Sequence, residues 1–136
     1  MPNIPEFACV FIDKLTLISP PPSAIWLMGS YANNRNNSNS DVDLLIFGSE
    51  AFLSALEPQV SKPHKIDCLV VFNDVDFRDP WQDKRGSLKE WQWRLESERV
   101  SKYKGTSFTE GNDEDGAYIV ERTEHAILIW PPCPHR

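Results

Sequence analysis

Apolar residues in the first part of the chain are spaced as expected for a helix followed by a buried strand. From Pro5 to Ile18 they recur every three or four positions, which is typical of an amphipathic helix. The three prolines at positions 20–22 end that helix, because proline lacks the backbone N–H that a helix interior needs. The short apolar run Ala24–Met28 then predicts a buried strand.

Two further strands and a second helix are predicted up to residue 72. Residues 33–40 are rich in asparagine and serine, which favours a loop. The run Asp41–Phe47 predicts a strand, and Ser49 is a suitable N-cap for the helix that follows it. The β-branched run Lys65–Phe72 predicts a third strand. The predicted order is therefore helix, strand, loop, strand, helix, strand.

The pattern changes after residue 72. Residues 73–83 are polar and contain Pro80, which predicts a loop whose carboxylates are solvated; these are Asp74, Asp76 and Asp79. Residues 84–104 predict a long tryptophan-rich helix that ends at Gly105. Its wide apolar arc indicates either a buried helix or an aromatic patch for a partner.

The C-terminal part predicts a loop, a hairpin and a loose end. Residues 110–116 are acidic and contain glycine, which predicts a loop. Ala117–Glu121 and Ala126–Trp130 predict the two strands of a β-hairpin that turns at residues 122–124. The proline-rich tail 131–136 cannot continue a strand.

Composition narrows the classes of protein. A chain of 136 residues predicts one domain, and its net charge of −6 argues against a long nucleic acid as partner, because phosphate backbones are bound mainly by Lys and Arg. No apolar run reaches the roughly 18–20 residues of a membrane span, and no basic segment precedes an N-terminal apolar stretch. The three cysteines lack a paired spacing. We therefore expect a cytoplasmic protein with reduced thiols and no membrane partner.

Two carboxylates are expected to converge at the start of the second strand. Side chains alternate along a strand, so Asp41 and Asp43 face the same side. Because carboxylates repel each other and this strand contains no Arg or Lys, the expected partner is a hard cation such as Mg²⁺ or Mn²⁺. Gly29 and Ser30, after the first strand, would let backbone N–H groups and a hydroxyl approach an anion.

The spacing of these residues resembles the signature of the DNA polymerase beta-like nucleotidyltransferase superfamily. That signature is a Gly-Ser pair, then ten residues, then Asp-x-Asp followed by apolar residues. The positions of this chain that match it are Gly29, Ser30, Ser40, Asp41, Asp43 and Leu44. The spacing is especially similar to that of the minimal nucleotidyltransferases, which include antitoxins. Many members have glycine where this chain has Asn34, and asparagine tolerates a left-handed backbone better than other residues with a side chain.

The resemblance implies an α/β (α+β) fold, namely a polymerase beta-like palm with a mixed β-sheet flanked by helices. Residues 5–72 would form its core within a single domain spanning residues 1–136. Residues 73–130 would add a C-terminal helix and a β-hairpin. A third carboxylate is also implied on a neighbouring strand, and Asp67 is the candidate because a buried strand rarely accepts an unpaired aspartate.

The resemblance also implies the chemistry of the site. The catalytic and metal-binding residues would be Asp41, Asp43 and Asp67, which would bind two Mg²⁺ ions or Mn²⁺ in their place. The nucleotide-binding residues would be Gly29, Ser30 and Ser40, with the first two holding the β and γ phosphates of ATP. The acceptor hydroxyl would attack the α-phosphorus and pyrophosphate would leave, with Asp67 as the general base.

The acceptor stays open at this stage. The leading hypothesis is transfer of AMP to a hydroxyl of a partner protein, as in antitoxins paired with HEPN toxins. One alternative is an adenylyltransferase for a small hydroxylated molecule such as an aminoglycoside, attracted by the acidic surface. Another is a non-catalytic module that binds a partner through its tryptophans. Neither the base nor the oligomeric state can be predicted from these residues.

Overall fold

One mixed β-sheet of eight strands organises the described part of the protein. The computed structural model of the protein describes residues 3–110 and 117–132. Within them the elements are, in chain order, α1 (Glu6–Thr16), β1 (Ala24–Met28), α2 (Gly29–Ala32), β2 (Val42–Phe47), α3 (Glu50–Gln59), β3 (Ile66–Val71), β4 (Asp76–Asp79), β5 (Lys84–Ser87), β6 (Arg94–Ser97), β7 (Val100–Glu110) and β8 (Ala117–Trp130).

The strands lie in the spatial order β5-β4-β3-β2-β1-β8-β7-β6. The β2–β3 pair is parallel, and the other paired strands are antiparallel. α3 connects the two parallel strands, as a parallel crossover requires. The predicted mixed sheet with flanking helices is therefore confirmed at the level of an α+β architecture. Within the described residues, no helix has the length and apolar character needed to span a membrane.

The elements predicted up to residue 72 are confirmed, with bounds that differ by one or two residues. α1 lies inside the predicted range Pro5–Ile18, and β1 has the predicted bounds Ala24–Met28. α3 begins where its cap predicts, since the Ser49 hydroxyl accepts a hydrogen bond from the N–H of Phe52 at 3.1 Å. β2 and β3 follow the two apolar runs, so the core elements of the predicted order are all present.

Helices cover only one face of the sheet. α1 and α3 bury Phe11, Leu15, Phe52 and Leu56 against strand residues such as Leu44. Full burial of a side chain of this size stabilises the fold by about 1.5–3 kcal/mol. The other face carries a second cluster of buried residues, and none of the helices in the described part of the chain covers it.

Aromatic residues cover this second face instead. Trp93 lies edge-on to Trp26, with ring centroids 5.3 Å apart, and Trp91 lies 4.7 Å from Phe77. Tyr103 from β7 packs against both Trp91 and Trp93. The backbone N–H of Lys104 also donates to the carbonyl of Trp91 at 2.6 Å. The sheet is therefore curled, and the segment that follows β5 contacts β7.

The helix predicted over residues 84–104 is wrong. This segment contains β5, a turn, β6 and the start of β7, and Gly105 lies inside β7 rather than at a helix end. Gln92 has φ 54°, a left-handed conformation that a right-handed helix does not contain. Local helix propensity is weak compared with tertiary packing, and here strand pairing and aromatic packing on the sheet outweigh it.

The hairpin predicted around residues 122–124 is also wrong, because β8 runs without a break through them. β8 pairs with β7 along the described length of that strand and with β1 on its other side. The predicted loop over residues 73–83 contains β4, and Asp79 is buried rather than solvated. Its carboxylate accepts a hydrogen bond from the N–H of Trp81 at 2.8 Å. The predicted loop at 111–116 and most of the predicted loose tail, residues 133–136, lie outside the described residues.

Candidate active site

Asp43 and Asp67 lie side by side on the two parallel strands. The register of β2 and β3 pairs Asp43 with Asp67, so both side chains point from the face of the sheet that lacks helices. Their carboxyl groups are close enough to share a hydrogen bond when one is protonated. Asp67 thus lies on the strand next to Asp43, as the resemblance implies, and on the same face of the sheet. The reasoning from burial was wrong, however, because Asp67 is exposed at the start of its strand.

A cavity of about 570 Å³ contains these two carboxylates together with Asp41. Gly29 and Ser30 also line it, so the structure brings together five of the six predicted site residues. Its remaining lining residues come from the loop after α2 and from β7 and β8; they are Arg35, Tyr103, Gly105, Arg122 and Glu124. We call it the site cavity. Its volume lies in the range of small-molecule binding sites, roughly 300–1,000 Å³.

The Asp43 carboxyl group has an unusually high pKa. Its pKa is raised to about 7, first by burial, then by the negative charges of Asp67 and Asp41 and by a hydrogen bond with Asp67. Lys84 opposes the shift but is the weakest of these influences. Near neutral pH, Asp43 therefore either keeps a proton or needs positive charge beside it.

The donor set suits a hard divalent cation. Among residues 3–110 and 117–132, no group of three His, Cys, Asp or Glu side chains is arranged tightly enough to hold a metal by itself. Mg²⁺ seldom needs such a cage, since one or two carboxylates plus substrate phosphates are its usual ligands. Asp43 and Asp67 supply two adjacent carboxylates whose repulsion a cation would relieve. The residues present therefore fit such an ion.

Gly29 is required where β1 turns into α2. Its φ is 66°, and a Cβ atom at this position would collide with the carboxyl oxygen Oδ2 of Asp43. Its N–H donates to the hydroxyl of Tyr103 at 3.2 Å. Burial raises the pKa of Tyr103, so this hydroxyl stays protonated at neutral pH. Tyr103 was not predicted as a site residue, because the segment around it was interpreted as a helix.

The loop after α2 contains the last predicted nucleotide-binding residue, Ser40. Its hydroxyl accepts a hydrogen bond from the N–H of Asn37 at 2.8 Å and so closes the loop. Ser40 does not line the site cavity, and its contact with a nucleotide stays a prediction. Asn34 has a φ of 58°, in the left-handed region. Asparagine adopts this region more readily than most residues, which explains how it can stand where many members of the superfamily have glycine.

Asn33 fixes this loop to the sheet. Its side-chain amide donates to the carbonyls of Gly29 at 2.8 Å and His125 at 3.0 Å, and its Oδ1 accepts from the N–H of His125 at 2.9 Å. α2 is thereby tied to β8, a strand more than 80 residues further along the chain.

A second cavity, of about 340 Å³, adjoins the first on the other side of the carboxylate pair. It shares Gly29, Asp43, Asp67 and Tyr103 with the site cavity and adds Asp79, Lys84 and others. The two carboxylates therefore face two spaces, as a reaction between two substrates needs. A larger cavity of about 860 Å³ lies between α3 and the β4–β5 strands and contains none of the predicted site residues.

Comparison with known proteins agrees with this geometry. Residues 10–65 match the family model of the nucleotidyltransferase domain. The matched segment includes Gly29, Ser30, Asp41 and Asp43, and it ends two residues before Asp67. No curated protein and no solved structure matches the chain. The match supports a transferase that acts on nucleotides, and the place of Asp67 in it depends on the strand register alone.

Proposed function

We propose that the protein transfers a nucleoside monophosphate from a nucleoside triphosphate to an acceptor hydroxyl and releases pyrophosphate. The observation that carries the proposal is the pairing of Asp43 with Asp67 beside Gly29 and Ser30 in one cavity. Residues 10–65, which hold three of these four residues, match the nucleotidyltransferase domain. Any one of these four residues could occur by chance in an unrelated sheet. Their convergence at one cavity is what makes the arrangement specific.

The carboxylates have separate roles in the proposed reaction. Mg²⁺, when bound, would neutralise the phosphate charge and lower the pKa of the attacking hydroxyl. Asp43 and Asp67, with Asp41 beside them, would hold the ion next to Gly29 and Ser30, which line the same cavity, and the ion would bind the α-phosphate that the carboxylates alone would repel. Asp67 is exposed and accepts the proton of the acceptor hydroxyl. An oxygen–phosphorus bond forms at the α-phosphorus, the bond to the β-phosphate breaks, and pyrophosphate leaves with the electron pair.

Gly29 and Ser30 are proposed to bind the phosphates of ATP. The Gly29 N–H already donates to Tyr103, so a phosphate oxygen that takes this hydrogen bond must displace the Tyr103 hydroxyl. That exchange keeps the amide paired both with and without nucleotide, which avoids an unsatisfied buried donor. ATP is proposed over other nucleotides only because of the resemblance.

A protein hydroxyl is the proposed acceptor, and an antitoxin role towards a HEPN-type toxin is part of that proposal. The structure weakens the two alternatives. For a non-catalytic module, the proposed anchors Trp81, Trp91 and Trp93 are partly buried in the fold, and Trp81 packs against Phe11 with centroids 6.0 Å apart. For a small polycation, one of the supporting carboxylates, Asp79, is buried and engaged with Trp81.

Transfer of a labelled α-phosphate tests the function directly. The protein is incubated with each α-labelled nucleoside triphosphate and Mg²⁺, alone and with the product of the neighbouring gene. We expect label on the partner protein with the wild type, and none with the Asp41→Asn/Asp43→Asn variant. Asp74→Asn is the matched control, because Asp74 is exposed and its φ of 74° suits asparagine. Equal labelling by the double variant would overturn the proposed function. Label on a small hydroxylated molecule instead of the partner protein would overturn the proposed protein acceptor and favour the small-molecule alternative.

A further inference from the structure

A buried carboxylate on β8 holds two arginines that come from distant parts of the chain. Glu124 is only 3% exposed, and its Oε1 atom accepts hydrogen bonds from Nη2 of Arg35 at 2.7 Å and from Nε of Arg122. Its other carboxylate oxygen, Oε2, is buried and has no hydrogen-bond partner among the described residues. The two arginines thus share one acceptor atom and one negative charge.

The geometry of β7 and β8 makes room for this carboxylate. Glu124 pairs with Tyr103 across the two strands, and Gly105 follows two residues later on β7. A Cβ atom at Gly105 would collide with Cγ of Glu124, so the absence of a side chain there lets Glu124 fold across the strand. The cluster is therefore built into the sheet rather than formed by mobile surface side chains.

Most of the N–H donors of both arginines remain available. An arginine carries five donors, and each of these side chains uses one on Glu124. Within residues 3–110 and 117–132, no other protein acceptor bonds to either guanidinium group. The side chains are 41% and 46% exposed, and both line the site cavity with Gly29 and Ser30.

We propose that Arg35 and Arg122 bind the triphosphate tail of the nucleotide and that Glu124 is the positioning residue that holds them. This inference rests on the proposed function and adds to it the residues that recognise the phosphates. Two guanidinium charges and one carboxylate leave this cluster with one net positive charge, beside the three aspartates that line the same cavity. The planar donor pattern of arginine matches phosphate oxygens, and charged hydrogen bonds of this kind are the strong ones.

Binding of inorganic tripolyphosphate tests the arginines without any turnover. Calorimetry with Mg²⁺ present compares the wild type, Arg35→Ala, Arg122→Ala and the double variant. We expect the double variant to lose at least about tenfold in affinity, since one charged hydrogen bond is worth about that much. Arg85→Ala is the matched control, because Arg85 is exposed on β5 and lines a different cavity, and it should change the affinity less than about twofold.

A nucleoside triphosphate must also displace tripolyphosphate from the wild type. If it does not, the arginines bind some other anion, such as a phosphorylated acceptor, and the inference is overturned. Unchanged tripolyphosphate affinity in the double arginine variant would overturn it as well. Each single alanine variant leaves Glu124 one arginine and should keep the wild-type circular dichroism spectrum, whereas the double variant leaves this buried carboxylate unpaired and should melt at a lower temperature, so its affinity is measured below its own unfolding transition.

Glu124→Gln tests the positioning role. The change keeps the shape and removes the charge that the two guanidinium groups share, so we expect the KM for the nucleotide to rise several-fold with little change in kcat. A purely structural role would instead lower the melting temperature and kcat together, and that result would remove Glu124 from the inference. Glu124→Asp, which keeps the charge, should recover part of the loss.

These outcomes separate the inference from the proposed function. A wild type that transfers label but binds tripolyphosphate equally well without the arginines retains the function and loses the inference. A wild type that binds neither tripolyphosphate nor any nucleoside triphosphate loses both. A wild type that binds them through Arg35 and Arg122 but transfers no label keeps the phosphate site and loses the transfer reaction.

Discussion

At the scale of single residues, Asp43 links the stability of the fold to the proposed chemistry. Its pKa is about 7 because it is largely buried and because Asp67 and Asp41 lie beside it. The neutral form is therefore favoured in the folded protein, whereas in the unfolded chain Asp43 ionises near its ordinary pKa of 3.8. The contribution of this pKa shift to the free energy of unfolding is fully present below about pH 4 and is lost as the pH rises towards 7.

We expect Asp43→Asn to remove this pH dependence. In metal-free protein the stability of the variant relative to the wild type should grow by on the order of 4 kcal/mol between about pH 4 and pH 8, because the pKa rises from 3.8 to about 7 and one pKa unit corresponds to about 1.4 kcal/mol. Urea unfolding over this pH range measures it, with the exposed Asp76→Asn as control. Parallel pH profiles for the wild type and Asp43→Asn would contradict the electrostatic description. Saturating Mg²⁺ should reduce the difference.

Gly29→Ala should be costly for two reasons that act at the same atom. The left-handed backbone disfavours a side chain by about 1–2 kcal/mol, and the new methyl group would meet the Asp43 carboxyl. We expect a loss of at least about 2 kcal/mol in the free energy of unfolding, measured by urea titration. Asn34→Gly is the contrasting variant, because Asn34 has a similar φ of 58° and the change relieves strain. Equal effects of the two substitutions would show that Gly29 is not constrained.

At the scale of elements, the connection between α2 and β8 determines where Gly29 and Ser30 lie. Three hydrogen bonds of the Asn33 side chain make this connection. Asn33→Ala leaves a carbonyl and an N–H of the backbone without their partners, so we expect a loss of about 2–3 kcal/mol in stability. Asn36→Ala, at an exposed position of the same loop, is the control. Amide hydrogen exchange of His125 should become faster in Asn33→Ala, and unchanged protection would contradict this role.

The elements also show where prediction from the sequence stops. The elements up to β3 follow from local signals such as the Ser49 cap, the prolines at 20–22 and the apolar runs. β6 and β7 do not, because they depend on pairing with β8 and on the packing of Trp91 and Trp93 over the sheet. The same pattern of apolar residues is compatible with a helix and with a curled pair of strands. Only contacts with residues far away along the chain distinguish the two structures.

The same limit applies to the candidate site. Asp41, Asp43, Gly29 and Ser30 could be predicted because they lie within one short stretch with a recognisable spacing. Tyr103, Arg122 and Glu124 could not, because β7 and β8 bring them to the cavity from the other end of the chain. Arg122 and Glu124 were interpreted as turn residues, since a charged stretch between two apolar runs usually is a turn.

At the scale of the whole molecule, the sheet arranges two cavities around one pair of carboxylates. The site cavity contains the two arginines with Gly29 and Ser30, and the second cavity contains Lys84 and Asp79. We expect the nucleotide in the first and the acceptor in the second. The C-terminal strands therefore do more than extend the sheet, because they supply one wall of the proposed nucleotide site.

The most direct test of this account is the binding of Mn²⁺ in the presence of a non-hydrolysable nucleoside triphosphate, measured by electron paramagnetic resonance. The account predicts that Asp43→Asn/Asp67→Asn binds the ion at least about tenfold more weakly than the wild type, equivalent to about 1.4 kcal/mol. Asp74→Asn/Asp76→Asn, which removes the same charge from exposed positions, should bind as the wild type does. Equal Mn²⁺ affinity in the wild type and the Asp43/Asp67 variant would contradict it.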